Sequence, residues 1–129
     1  MKIQMAYKFT GEDPEVLMEQ LRKIVFILEG FDHEVYCPCF DMDKPTEKKD
    51  LFFGTLKKIE GCDAIFALIK FEDKSEGMLM EVGHAWGLDK KLIVAIQDDV
   101  HNTHLRGFAD QLIEFCDIED LYGKLEMLK

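Results

Sequence analysis

Two apolar runs with one helical segment between them constrain this chain more than any other feature. The first, residues 62–70, reads CDAIFALIK, and the second, residues 91–96, reads KLIVAI. Near-continuous apolar character of this kind is what a parallel strand covered on both faces needs. The intervening stretch, SEGMLMEVGHAWGLDKK at residues 75–91, supplies a crossover helix. The unit therefore reads strand, loop, helix, strand, which is one βαβ crossover.

A glutamate inside the small, apolar part of that helix is costly unless it is used. Ser75 lies where an N-cap would, and Glu81 follows about one and a half turns later. Gly77 is one turn above Glu81 on the same face, and its missing side chain is expected to leave the carboxylate open from the helix start, where a ligand could enter. An exposed helical glutamate, with the glycines serving only close packing, is the alternative that spacing alone leaves open.

The rest of the chain continues the alternation. Residues 1–7 read as a first strand, and Thr10-Gly11-Glu12-Asp13-Pro14 as the turn that ends it and opens a helix, with proline and acids suited to a helix N-terminus. Over residues 15–28, Val16, Leu17, Leu21, Ile24, Val25 and Leu28 recur at three- and four-residue steps, the stripe of an amphipathic helix, and Gly30 stops it. A short second strand at 33–38 is closed by proline, a polar loop covers 41–45, and a helix runs from about Thr46 to Ile59. After the fourth strand come a polar stretch at 97–103, a helical turn near 105–109, a fifth strand at 112–116 and a closing helix at 118–128. This pace predicts an α/β fold of flavodoxin or Rossmann-like kind: an open parallel five-stranded sheet, order 2-1-3-4-5, with helices on both faces. Ligands in such sheets bind beyond the carboxyl ends of the strands, near the switch between strands one and three. That rule brings together the loops at 7–11, 71–77 and 97–106.

Composition narrows the partners. A chain of 129 residues is one ordinary domain, 1–129. Sixteen basic against 26 acidic residues give a net charge of −10, which argues against nonspecific binding to nucleic acid or an anionic membrane. A small anionic substrate would need a local positive site. No apolar run approaches the roughly 18 to 20 residues of a membrane span, and the N-terminus opens on a strand-like KIQMAY without a leader pattern, so a cytoplasmic protein is expected. The four cysteines, Cys37, Cys39, Cys62 and Cys116, include no CxxC pair and are read as reduced, mostly buried thiols. Cys37-Pro38-Cys39 has no second His/Cys pair at finger-like spacing to make a metal site, and His101 and His104 belong to a polar loop; no metal and no cofactor is expected.

The pattern SxGxxxEVGHA after an Asp-led apolar strand, followed by GLDKKLIVAI, resembles the nucleoside 2-deoxyribosyltransferase superfamily. In that group the helix carries an E-[LV]-G-x-A motif whose glutamate attacks the sugar, which the resemblance places at Glu81, with Gly83 and Ala85 as its small neighbours. Ser75, six residues earlier, resembles the serine by which the 2′-deoxynucleoside 5′-monophosphate N-hydrolases touch phosphate, where the transferases carry aspartate. A hydroxyl at a helix start also suits an anion on physical grounds. The stretch Leu105-Arg106-Gly107-Phe108-Ala109-Asp110 looks like the hydrolase branch too, and Tyr7 matches a tyrosine set against the nucleophile. Two departures stand beside these matches. The family's orienting aspartate, eight or nine positions before Asp63, is Thr55 or Gly54 here, with Asp50 a displaced substitute. The first loop reads Ala6-Tyr7-Lys8-Phe9-Thr10-Gly11 in place of the hydrolases' glycine-serine phosphate loop.

What the resemblance implies is cleavage, by hydrolysis or transfer, of the N-glycosidic bond of a nucleoside, 2′-deoxy or not, or its 5′-monophosphate. Glu81 would form a glycosyl-enzyme ester and Asp73 would protonate the leaving base, against a solvated acidic loop with Glu72 and Glu76. Tyr7 would hold the Glu81 carboxylate, or pack at a strand end. Lys8, Ser75 and Arg106 are the candidate phosphate contacts, Gly11 is a further substrate-binding position, Gly77 opens the pocket and His84 lines its mouth or packs against a partner. Asp63 reads as a turn residue, and Trp86, Met78, Leu79 and Met80 as core or subunit interface. The resemblance also implies a homodimer or higher oligomer in which a neighbouring chain closes the site. Two competing readings are a catalytically silent nucleotide-binding module on the same fold and a glycohydrolase of another ribosyl compound such as NAD. A flavodoxin-like electron carrier is a distant third, because no flavin-phosphate loop follows the first strand.

Overall fold

The computed structural model describes residues 1–42 and 47–129. Residues 43–46, which hold most of the expected polar loop and the expected helix start at Thr46, lie outside the described residues. Five strands, β1 (Lys2–Tyr7), β2 (Glu34–Tyr36), β3 (Ala64–Ile69), β4 (Lys91–Gln97) and β5 (Gln111–Phe115), form one sheet in the order β2-β1-β3-β4-β5. Every pairing is parallel, with Ile3 beside Ala64 and Ile65 beside Leu92 setting the central register. The expected topology is the one found.

Side-chain alternation divides the interior into two cores. From β3, Ala64, Phe66 and Leu68 meet Leu17, Leu21, Ile24 and Leu28 of α1 (Pro14–Gly30) and Leu121 of α6 (Ile118–Lys124). Ile65, Ala67 and Ile69 face the other way, onto Ile59 of α3 (Lys48–Glu60) and Met78, Val82 and Ala85 of α4 (Glu76–Gly87). All six β3 residues are buried, which is why no polar residue interrupts that run. The interstrand frame is pinned by carboxylates: Asp63 accepts the Lys2 amide at 2.8 Å and Asp110 the Leu92 amide at 2.7 Å. Asp63 is thus a turn residue.

α5 (Leu105–Phe108) is the single helical turn expected near 105–109. Other boundaries differ from expectation. Proline at 38 starts a helix, α2 (Pro38–Asp41), instead of merely closing the strand, because its fixed φ suits a first helical turn. The closing helix tightens into a 3₁₀ turn at Leu125–Leu128, which seats Leu125 and Leu128 in the α1-side core. No helix among the described residues is long and apolar enough to cross a membrane.

Candidate active site

α4 begins as the spacing predicts. The Ser75 hydroxyl caps it by accepting the Met78 amide at 3.2 Å, and Glu81 sits in its second turn. Burial pushes the Glu81 carboxyl up to about 7, since a charged carboxylate loses hydration there. No hydrogen bond or ion pair to it occurs among the described residues. Its desolvation is therefore uncompensated among the described residues.

Gly77 does not leave the open path that its spacing suggested. A Cβ there would lie 3.3 Å from the ring edge of Phe52, so the missing side chain accommodates an aromatic from α3. Because Gly77 and Glu81 share one helical strip, Glu81 lies on the side of α4 that turns toward α3.

The loops at the carboxyl ends of the strands are fastened to one another. Glu72, after β3, accepts the amides of His101 at 2.9 Å and Asn102 at 3.2 Å, and the Asn102 side chain donates to the Glu72 carbonyl at 2.6 Å. Lys70 reaches across to Glu12 at 2.7 Å and to the Gln20 side chain at 2.8 Å, which ties the end of β3 to the first loop and α1. The loops that the switch-point rule assembles are therefore assembled by Glu72, Glu12 and Lys70, none of which the sequence marked as functional.

Individual site candidates fare differently. Tyr7 does not hold Glu81: its hydroxyl accepts the Cys39 amide at 2.8 Å, and its ring packs on the α1-side core, across the sheet from α4. Burial, aided by the two cysteines beside it, raises its pKa. Arg106 is spent inside its own segment, donating to the carbonyls of Val100 and Gln97 and pairing with Glu114 at 3.4 Å, so it is not a free phosphate contact. Lys8 makes no hydrogen bond or ion pair among the described residues. Its ammonium would lie 3.4 Å from a Cβ on Gly11, whose φ of +85° requires glycine or an αL-tolerant residue. Asp73 is exposed and unpartnered among the described residues. His84 has a buried Nε2 without a hydrogen-bond partner.

On the α3 side, Thr55 is buried. Its hydroxyl donates to the Leu51 carbonyl at 3.0 Å, and its own carbonyl receives the Gln4 side-chain amide at 3.1 Å. It occupies the inward position where the family aspartate is expected, whereas Asp50 and Gly54 are exposed. Gln4, buried in mid-strand, keeps its Oε1 unpartnered; its one sequence signal is a glutamine inside an apolar strand. Of the four cysteines, expected to be mostly buried, Cys37 and Cys62 are buried and Cys39 half-buried, while Cys116 is exposed. Met78 is core, and Met80 and Trp86 are exposed, with Trp86 edge-on to Phe108 at 6.0 Å.

A cleft of about 390 Å³ opens on the α1 side, lined by Gly11, Glu12, Gln20, Lys70 and Phe71 among others. Glu81 does not line it. Its lysine is already paired with Glu12, whereas the Glu81 carboxyl, on the α4 side, has no hydrogen-bond or ion-pair partner among the described residues. Among the described residues no cluster of three or more metal-ligating side chains occurs.

The family model for nucleoside 2-deoxyribosyltransferase matches residues 9–117. The chain belongs to that family. Solved structures of similar fold include the CMP N-glycosidase BcmB of Clostridium botulinum, at a TM-score of 0.75 and 18% identity over 100% of both chains. The 2-deoxyribosyltransferase of Bacillus psychrosaccharolyticus follows at 0.63 and 19%, over 95% of this chain and 90% of that one. The enzyme from Leishmania mexicana gives 0.58 and 22%, over 75% and 65%. No curated protein sequence matches significantly. As a member of the nucleoside 2-deoxyribosyltransferase family, this chain is of a kind that cleaves or transfers at the N-glycosidic bond. Its Thr55 then stands as a departure in a buried, hydrogen-bonded position.

Proposed function

We propose that this protein cleaves the N-glycosidic bond of a nucleoside 5′-monophosphate, 2′-deoxy or ribo, with Glu81 as nucleophile and water as acceptor. The observation that carries the reading is a desolvated, unpartnered carboxylate in the second turn of a serine-capped helix at the carboxyl ends of a parallel sheet. The ionised carboxylate attacks the anomeric carbon, the base departs with its electron pair and takes up a proton, and water then hydrolyses the glycosyl ester. Asp73 is the proposed donor to the base, being exposed in the loop that leads into α4.

The phosphate falls to Ser75, with Lys8 and Gly11 offering charge and room in the first loop. Ser75 stands at the positive end of α4. Tyr7 acts through the α2 turn that it fastens, and His84 contributes to the pocket wall. The end-to-end likeness to a CMP N-glycosidase supports the monophosphate reading over free nucleosides. No metal or cofactor enters this scheme. A homodimer is proposed as well, with Met80, Trp86 and Phe108 in its interface, and sedimentation of the native chain beside Trp86→Glu tests it: two-fold mass for the first and one-fold for the second.

A second reading is a nucleotide-binding module without turnover, favoured by Thr55 where the family carries an aspartate. The deciding experiment is base release from deoxynucleosides, their 5′-monophosphates, ribonucleotides and NAD, with the native chain and Glu81→Ala. Turnover of monophosphates that the substitution abolishes supports the hydrolase. Silence across the panel with a nucleotide still bound supports the module, and nicotinamide release would identify an NAD glycohydrolase.

A further inference from the structure

Cys37 and Cys39 are part of none of the chemistry above, yet their sulfur atoms lie 3.5 Å apart. That is van der Waals contact, and a disulfide needs a further approach of about 1.5 Å. Cys37 is fully buried at the end of β2, and Cys39 is half-buried in the first turn of α2. Of the two residues only Cys39 has surface exposed to solvent.

The turn around them is fastened at several points. The Cys37 amide donates to the Asp41 carboxylate at 2.8 Å, the amides of Phe40 and Asp41 return to the Cys37 carbonyl, and the Cys39 amide donates to Tyr7. Pro38 restricts the linking residue further. The backbone that carries the two thiols is thus fixed, and within it the two sulfurs are in contact.

We propose that Cys37 and Cys39 form a thiol–disulfide exchange site that takes a low-molecular-weight disulfide as its co-reactant. The Cys39 thiolate attacks one sulfur of the external disulfide, a Cys39–S–S–R bond forms and RS⁻ leaves, to be protonated. Cys37 then gives up its proton and attacks the Cys39 sulfur, closing the Cys37–Cys39 bond and expelling the second RS⁻. The protein loses two thiol hydrogens, and the external disulfide is reduced to two thiols.

The acidity of the pair agrees with these roles. The hydrogen bond from Cys37 lowers the Cys39 pKa, and the same bond, with burial, raises that of Cys37. The Cys39 sulfur is therefore the better thiolate, as an attacking group should be, and that of Cys37 stays protonated until a mixed disulfide sits beside it. Closing the ring draws the Cys39 backbone toward Cys37, and the bond most directly affected is that between the Cys39 amide and Tyr7. The inference does not depend on the reaction proposed above.

The test uses the full chain with Cys62→Ser and Cys116→Ser, equilibrated with mixtures of reduced and oxidised glutathione and then read by thiol labelling and intact mass. The expected result is loss of both thiols in one transition, with two hydrogens lost and no glutathione retained. Adding Cys37→Ser should trap glutathione on Cys39, and adding Cys39→Ser should leave Cys37 unmodified. The proposal is overturned if the two thiols react independently and each keeps glutathione, or if the pair stays reduced against a large excess of the oxidised form. Should Cys37→Ser fail to fold, the thiol count and mass of the parent decide the matter alone.

Discussion

The Tyr7 hydroxyl accepts the amide proton of Cys39 at 2.8 Å, joining the end of β1 to the first turn of α2. Tyr7→Phe keeps the packing and removes the acceptor, leaving a partly buried amide without a partner. A loss of about 1 kcal/mol in unfolding free energy is expected, measured by denaturant titration. Amide exchange at Cys39 should accelerate while that of the β3 core stays slow.

The protonation of Glu81 has two separable consequences. The folded chain retains its proton between about 4.5 and about 7, where the unfolded chain has released it. Stability therefore falls as pH rises across that window, and the penalty is constant above it. Its size is on the order of 3 kcal/mol, so Glu81→Gln should be more stable than the native chain above the window and converge with it below. Calorimetry across the window checks this. Because the nucleophile must be ionised, kcat/KM for base release should climb with pH through about 7.

Lys70 and Glu12 form an ion pair of 2.7 Å whose side chains are only 11% and 7% exposed. Removing one partner strands a largely buried charge, so Lys70→Met or Glu12→Gln should each cost about 3 kcal/mol. The double substitution should cost much less than the sum of the two. A double-mutant cycle by urea unfolding measures the coupling, and additivity would show that the pair is not coupled.

Ser75 caps α4 and is also the proposed phosphate contact. Ser75→Gly removes the hydroxyl while costing only a few tenths of a kcal/mol in capping. The expected result is an approximately tenfold rise in KM for monophosphates, the value of one charge-assisted hydrogen bond, with free nucleosides unaffected. A purely structural Ser75 would change neither substrate selectively.

The central βαβ unit was legible because β3 and β4 are covered on both faces, which forbids polar interruptions. The N-cap at Ser75 was legible for the same kind of reason, since capping is local. The pairing of Tyr7 with Glu81 failed on strand parity: Ile3, Met5 and Tyr7 alternate onto the α1 side, and α4 covers the other. Strand parity, which the sequence carries, opposes the tyrosine position that the family resemblance implies. Phe52 over Gly77, Glu72 on His101 and Lys70 on Glu12 were not legible, because each joins segments distant in sequence and no periodicity encodes them. Pro38 shows the ambiguity of a local signal, since proline ends a strand and begins a helix equally well.

The role of Glu81 is most directly tested by trapping. A nucleoside 5′-monophosphate whose sugar carries an electron-withdrawing fluorine at C2′ slows breakdown of a glycosyl-enzyme ester. Peptide mass analysis of the chain after reaction should then find the sugar phosphate on Glu81, and none on Glu81→Ala. Turnover of the parent nucleotide with no adduct on Glu81, or with rates unchanged in Glu81→Ala, would contradict the account.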